Sequence, residues 1–216
     1  MPFGPELRVA YEGNRSYGTN AIDLRPYTAA SAKKIFEQLQ GDPAVAFLGG
    51  DGPLWERYGA EYYLAYQVEP STTVAWGAWN GGEQVGLAEL CLRADDVVSY
   101  NIIVGSDNRC SGIGSLLTAG VVSAAFRKGL LAAYFDGFAE DGARAIATRI
   151  HERNTLSQRV CGKFGFVALN QKAGSYDRYL NVATEDALPQ WLFGKAAQSS
   201  VVNRQQALGD YRVQVL

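Results

Sequence analysis

The chain has 216 residues, 47% of them hydrophobic and 19% charged, which excludes a disordered protein and fits an ordinary globular one. At roughly 150 residues per domain, one domain with extensions is expected, large enough to bury about 70% of its unfolded surface without covalent staples. Twenty basic against 22 acidic residues give a net charge of −2, so no overall field exists to hold a polyanion and nucleic acid is not an expected partner.

Residues 1–20 are polar and Gly-rich, have no signal-peptide core, and read as an irregular arm. Ala21 to Tyr27 alternates apolar and polar and predicts a strand. Thr28 and Ser31 are cap candidates for a helix over about 31–40, with Ala32, Ile35, Phe36 and Leu39 on one face. Gly41, Asp42 and Pro43 end it, and Gly49 to Pro53 forms a second turn before a helix from about Leu54 to Tyr66. Thr72 to Trp79 and Val85 to Arg93 read as strands joined at Asn80-Gly81-Gly82, a turn whose residues tolerate positive φ. After Asp95-Asp96, the nearly continuous apolar run from Val97 to Val104 predicts a strand buried on both faces. That run is far shorter than the ~20 residues of a membrane helix, and no membrane partner is expected.

A Gly-rich turn, GSDNRCSGIGS, leads into a helix from Gly112 to about Lys128. Arg144 to His151 is β-rich, Asn154 caps a helix ending near Phe164, and Gly165 terminates it. Phe166 to Asn170 and Tyr176 to Asn181 predict a hairpin. The tail holds a candidate helix around 185–197 and a strand at Tyr211 to Leu216. Trp191, Leu192 and Phe193 stand together there and would be a liability if exposed, so they are expected to cover the core or a second subunit.

Three cysteines, an odd number, argue against a disulfide framework and for a reducing, cytoplasmic setting. His151 is the single histidine, which excludes a histidine-built zinc site and confines any Ser-His-Asp triad to that residue; no metal is expected. The chemistry concentrates in the strand, turn and helix around residues 97–128. Unpaired amides from Arg109 to Ser115 at a helix N-terminus make an anion site. Gly112 and Gly114 let a phosphate approach the backbone, and Arg109 and Ser111 add donors. No Lys-Ser or Lys-Thr follows the second glycine, so this is not a P-loop. Leu117 stands where a dinucleotide GxGxxG would place its third glycine. Alone, the turn is equally well read as a tight connection.

Forty residues past Gly114, Asn154 opens NTLSQRVCGKFGF. Arg109-x-x-Gly112-x-Gly114, then Asn154, Ser157, Val160 and Gly165-Phe166, resemble the paired motifs of the GNAT superfamily of N-acyltransferases. Residues 22–48 resemble the opening of its ribosomal-protein N-terminal acetyltransferase branch. The resemblance covers about residues 21–181, between an arm (1–20) and a C-terminal extension (182–216) serving packing or dimer contact. It implies an α/β (α+β) GNAT fold with a mixed, mostly antiparallel sheet of six to seven strands flanked by helices. It also implies transfer of acetyl from acetyl-CoA directly to a primary amine, on a protein N-terminus or a small molecule, through a tetrahedral intermediate. A homodimer is a further possibility, and the alternatives are a non-catalytic acyl-CoA-binding module or transfer of a longer acyl chain.

In the family the fourth strand splays from the fifth and the pantetheine arm lies between. The resemblance thereby places Ile103 and Val104 beside it, with a backbone N–H there polarising the thioester. The pyrophosphate would sit on residues 109–114 (Arg109, Cys110, Ser111, Gly112, Ile113, Gly114), with Ser115 next in the turn and Asn154 near the pantetheine. Where the family often has a tyrosine acid, this chain has Cys161. A thiol with an ordinary pKa near 8.5 could protonate the leaving thiolate, or simply fill the helix face. Glu89, on a strand face with Val85, Leu87 and Cys91, is the candidate base; its other reading is a partner for Arg93 or another cation. His151, Tyr100 and Glu152 are further candidates, and a water-mediated route needs none of them. Gly129 to Asp141 reads as an insertion that either extends the helix or forms a flap over the acceptor pocket. Asp95, Asp96, Glu140 and Asp141 are the acids that could serve a polycation pocket.

Overall fold

The computed structural model describes residues 4–13, 18–27, 29–39, 41–43, 72–135, 138–184 and 195–216. The expected turn at 49–53, the helix at 54–66, the cap at Thr28 and the Trp191–Phe193 cluster lie outside the described residues, and of Ser31 only the backbone is described. Nine strands, β1 (Leu7–Tyr11), β2 (Ala21–Pro26), β3 (Thr73–Asn80), β4 (Glu83–Leu92), β5 (Val97–Val104), β6 (Ala145–His151), β7 (Val167–Ala173), β8 (Tyr176–Val182) and β9 (Tyr211–Val215), form one sheet. Its order is β7-β8-β6-β5-β4-β3-β2-β1-β9, and only β5 and β6 run parallel. Among the described residues the α-helices are α1 (Ala29–Leu39), α2 (Ile113–Phe126), α3 (Thr155–Lys163) and α4 (Lys195–Gly209).

The sheet is larger than the six or seven strands expected because both extensions add to it. The arm is not irregular: Leu7 and Val9 point into the core, and β1 pairs with β2 on one side and with β9 on the other. A C-terminal helix spans Lys195–Gly209 and feeds β9 back to the sheet edge; of the candidate helix at 185–197 only residues 195–197 lie among the described residues, and they are helical. The hairpin at Gly81 and Gly82 forms as its residues predict, with φ of 62° and 119°.

Strand alternation sorts the core. Leu24, Trp76, Ala88, Leu90, Val98 and Tyr100 share a cluster with α2 on one face. Their odd-numbered neighbours Leu87 and Glu89 turn to the other face, where α1 packs on β4. Val85 is an exception: a bulge between Ala78 and Trp79 leaves it opposite no β3 residue, and it joins the α2 cluster instead of Glu89's row. β5 is also not buried on both faces. Val98, Tyr100 and Ile103 are buried while Asn101 is exposed, because the strand ends beside an opening rather than under a second helix layer.

α2 is apolar nearly all round, and ten of its 14 residues are buried. Gly120 lets it lie close on the sheet: a Cβ there would stand 2.7 Å from Leu24 and 2.8 Å from Val9. After α2 the chain makes turns instead of extending the helix, and Leu131, Phe135 and Phe138 enter the core. Gly129 N–H donates to Glu140 O (2.7 Å) and Ala143 N–H to Ala125 O (2.8 Å). The described part of the expected insertion is thus closed by its own ends at the C-terminal end of α2 and does not extend that helix. No helix among the described residues is long and apolar enough to cross a membrane.

Candidate active site

The parallel ladder of β5 and β6 is short. Val97, Val98 and Ser99 pair with Ala145, Ile146 and Ala147, and pairing stops there. β5 nevertheless stays paired to β4 up to Val104, and β6 stays paired to β8 up to His151. The two strands therefore part from Tyr100 onward and open a wedge. Hydrogen-bond alternation in the antiparallel ladder decides which amides face it. Gly105 N–H donates to Val85 O and Arg93 N–H to Val97 O, so odd residues of β5 bond to β4. Tyr100, Ile102 and Val104 then turn their N–H and C=O to the wedge. Of the two residues expected beside the pantetheine, Val104 turns its amide to the wedge, whereas the amide of Ile103 is directed at β4; Ile102 is the neighbour whose amide also faces the wedge.

A cavity of about 520 Å³ occupies the wedge. Tyr100, Ile102, Ile103 and Val104 line it from β5, and Arg109, Cys110, Gly112, Gly114 and Ser115 line it from the turn and the start of α2. Asn154 and Ser157 contribute from α3. Gly112 holds the N-cap position of α2 with φ 90°, a left-handed conformation that costs glycine little, and no side chain caps the helix. The first helical bonds are donated by Ser115 and Leu116 to Gly112 O, both 3.1 Å, so the amides of Ile113 and Gly114 before them are left to an anion, whereas that of Arg109 is donated to Ser106 O (3.5 Å). Asn154 Oδ1 accepts from Ser157 N–H at 3.2 Å, so the residue is a helix cap and lines the cavity at once.

Two expected contributors do not line the cavity. Ile113 sends its side chain into the core, and Ser111 turns away, its hydroxyl donating to Asn108 O (2.5 Å) and its carbonyl accepting from Thr19 N–H (2.8 Å). Only their backbone amides belong to the turn. Conversely, Leu39, Leu156, Arg159 and Val160 line the cavity without having been singled out for it. Leu156 stands three and four residues before Arg159 and Val160, and Val160 three after Ser157, spacings that group neighbours on a helix surface.

The acid and base candidates fall on opposite faces of the sheet. Cys161 is 2% exposed, packed in the α2 cluster and absent from the cavity wall. Burial pushes its thiol up to about 11, against the opposing effect of a hydrogen bond with Tyr100. Between it and the cavity stands Tyr100, whose hydroxyl lies 3.5 Å from Cys161 Sγ and 3.2 Å from Thr118 Oγ1. Thr118 spends its own proton on Gly114 O (2.8 Å). Tyr100 can therefore donate to Thr118 and accept from the thiol, a directed chain ending in the first turn of α2. Burial, and secondarily Cys161, holds the Tyr100 phenol well above its ordinary range, so it stays protonated.

Glu89 is 3% exposed on the α1 face, opposite Asn101 of β5. After burial itself, its charge holds the Tyr27 phenol and the Cys91 thiol above their ordinary ranges, opposing their ionisation. His151 ends β6, where its Nδ1 accepts from Arg153 N–H at 3.1 Å and its ring stands edge-on to Tyr176; Glu152 pairs with Lys172 at 2.9 Å. Neither lines the cavity. Asp96 and Asp141 lie at the far end of α2, where Asp96 accepts from Ala139 N–H and Asp141 pairs with Lys128. Among the described residues no group of three or more His, Cys, Asp or Glu side chains could hold a metal ion.

Comparison with solved structures gives the same architecture. Mycobacterium smegmatis RimJ in complex with CoA-disulfide superposes with a TM-score of 0.60 at 16% identity, covering 98% of this chain and 99% of that one. RimL, a ribosomal L7/L12 alpha-N-protein acetyltransferase in complex with coenzyme A, gives 0.52 at 10% identity, covering 80% and 97%. A spermidine N-acetyltransferase SpeG chimera from Vibrio cholerae and hSSAT gives 0.53 at 12%, covering 75% and 95%. A search of curated proteins finds no match. The family model of the acetyltransferase (GNAT) domain matches residues 22–167, from β2 through the wedge and the Gly-rich turn to the start of β7, and this chain belongs to that family.

Proposed function

We propose that the chain is an acetyl-CoA-dependent N-acetyltransferase whose acceptor is the α-amine of a protein N-terminus. The observation that carries this reading is the wedge between β5 and β6 running into the uncapped N-terminus of α2 at Gly112. The donors and shape fit CoA: amides of residues 110–114 and the Arg109 side chain for the pyrophosphate, the open edge of β5 for the pantetheine, and Asn154 beside it. The amides of Ile102 and Val104 stabilise charge developing on the thioester oxygen as the amine attacks. Tyr100, lining the cavity where the strands part, protonates the departing thiolate once its O–H turns from Thr118 to the cavity, and Cys161, whose thiol donates to the phenol oxygen, acts through Tyr100 rather than on the substrate. Tyr100 also closes the apex, which supports a short acyl group. Glu89 serves as base only by way of the row it shares with Asn101, through water.

The acceptor reading rests on the ribosomal-protein enzymes among the structural neighbours and on the position of the acids. Asp96 and Asp141, which a polyamine would need, are engaged at the far end of α2. The test has two parts. Calorimetry should show acetyl-CoA binding that Gly112→Val abolishes; an unbound wild type, or unchanged affinity in the variant, defeats the site. Thiol release should then be followed with N-terminal peptides, spermidine and free amino acids. Peptide turnover supports the reading, a preference for spermidine overturns the acceptor, and tight binding with no turnover supports a binding module.

A further inference from the structure

The cation expected to hold the cofactor's phosphates is already occupied. Arg109 Nη1 donates to Asp42 Oδ1 at 3.0 Å, and its Nη2 lies 2.5 Å from Asp42 Oδ2. The guanidinium, 32% exposed, still lines the cavity, while the Asp42 carboxylate behind it is 8% exposed. Asp42 follows directly on α1, its N–H donating to Leu39 O at 2.9 Å, and Leu39 itself lines the cavity. A second tie joins the same two segments, from Ser106 Oγ to Gln38 O at 2.9 Å. The phosphate turn is thus fastened to the end of α1 by a pair whose cation half faces the site.

We infer that Asp42 and the phosphates of CoA compete for Arg109, so that Asp42 restrains cofactor affinity and thereby sets how readily CoA leaves after turnover. This rests on the reading of the wedge as the CoA site. Without ligand, the two charges satisfy each other, and neutralising Asp42 leaves Arg109 with an uncompensated charge. With ligand, the phosphates supply the missing counter-charge, and the Asp42 carboxylate becomes a like charge close behind them. Removing that charge must therefore weaken the unliganded protein and strengthen the complex. A residue that only held the turn in shape would move both in the same direction.

Asp42→Asn keeps the shape and one acceptor while removing the charge. The expected result is a lower melting temperature without ligand, a larger rise on adding CoA, and affinity for CoA higher by roughly three- to tenfold at low salt. The gain should shrink as salt is raised. Affinity for pantetheine, which has no phosphate, should not change. Calorimetry and thermal melts on the full chain supply all four readouts. Wild-type protein that binds no CoA overturns the site reading and this inference with it. Wild-type binding with equal or weaker CoA affinity in Asp42→Asn overturns this inference alone, as does an equal gain for pantetheine. Should Asp42→Asn fail to fold, Arg109→Gln and the double variant Arg109→Gln/Asp42→Asn carry the test, since the double variant buries no lone charge. The double variant should bind CoA more tightly than Arg109→Gln, and failure to do so overturns the inference.

Discussion

Tyr100 holds several functions in one side chain. It marks where β5 and β6 part, lines the cavity, and links Cys161 to Thr118. Replacing it with Phe keeps the ring that packs on Phe166, 5.3 Å between centroids, and removes the hydroxyl that bridges Thr118 and Cys161. Turnover in Tyr100→Phe should fall by roughly 10²-fold, the low end of what a positioned acid contributes, with CoA affinity nearly unchanged. Steady-state kinetics with calorimetry would check this, and unaltered kcat would remove Tyr100 as the acid. Cys161 makes a second prediction through pH. Its folded pKa of about 11 lies above the unfolded value near 9. The protonated thiol therefore favours the fold below about pH 9, and that stabilisation is lost as pH rises through 11. It amounts to about 2–3 kcal/mol at 1.36 kcal/mol per pKa unit. Denaturant melts between pH 8 and 11 should show a steep decline that is shallower in Cys161→Ala; identical slopes would mean the thiol is not the titrating group.

Elements differ in how openly the sequence announces them. β2 to β5, α2, β6 and α3 were legible because their signals are local: period-2 alternation, an Asn-Gly-Gly turn, a cap at Asn154 and Gly165 at the helix end. β1 was missed although Leu7, Val9 and Tyr11 alternate, because five residues in a Gly-rich arm say nothing of a partner. Of its two partners β2 is the next strand, but β9, which covers the other edge, lies some 200 residues away. The Gly-rich turn was legible as an anion site, yet the pairing of Arg109 with Asp42 was not, since no local pattern joins a helix end to a loop 67 residues on. Tyr100 was named only among the lesser base candidates. Its place at the wedge depends on where pairing between β5 and β6 stops, and that is a property of two strands together. Gly120 is a related case: nothing in a helix read alone shows that the sheet comes within van der Waals reach. Gly120→Val should cost roughly 1–3 kcal/mol through overpacking against Val9 and Leu24, read as a lower denaturation midpoint with unchanged slope. A neutral result would mean α2 can lift from the sheet without penalty.

At the scale of the molecule, the two ends of the chain complete one sheet, and this bears on whether residues 21–181 could stand as a domain. β9 covers the edge of β1 along five residue pairs, from Leu7↔Val215 to Tyr11↔Tyr211. α4 lies over β8 and α3. Its Arg204 is buried, donating to Asn181 Oδ1 (2.9 Å), to Val182 O and to Ala183 O (2.7 Å), with its guanidinium 4.3 Å from the centroid of the Phe126 ring at the end of α2. Burial lowers the guanidinium's pKa to about 10, still a cation at neutral pH. Ser200 joins the same group through Asn181, and Asn181 Nδ2 donates to Phe164 O (2.6 Å), where α3 ends. The extension thus satisfies buried polar groups of β8 and α3 that would otherwise be left without partners, each worth about 1–3 kcal/mol. Its loss would also expose the edge of β1 and uncover the rings of Phe164, against Tyr211, and Phe126, against Arg204. Deleting residues 195–216 should therefore abolish the cooperative melt and send the protein to the insoluble fraction, rather than yield a smaller folded acetyltransferase. Arg204→Leu should act in the same direction but less severely, lowering the melting temperature while leaving the affinity for acetyl-CoA of the folded fraction intact, because the cavity lies at the other end of α2. A truncated chain that stays soluble, melts cooperatively and binds acetyl-CoA would show that the 21–181 segment folds on its own and that the extension is an addition to it.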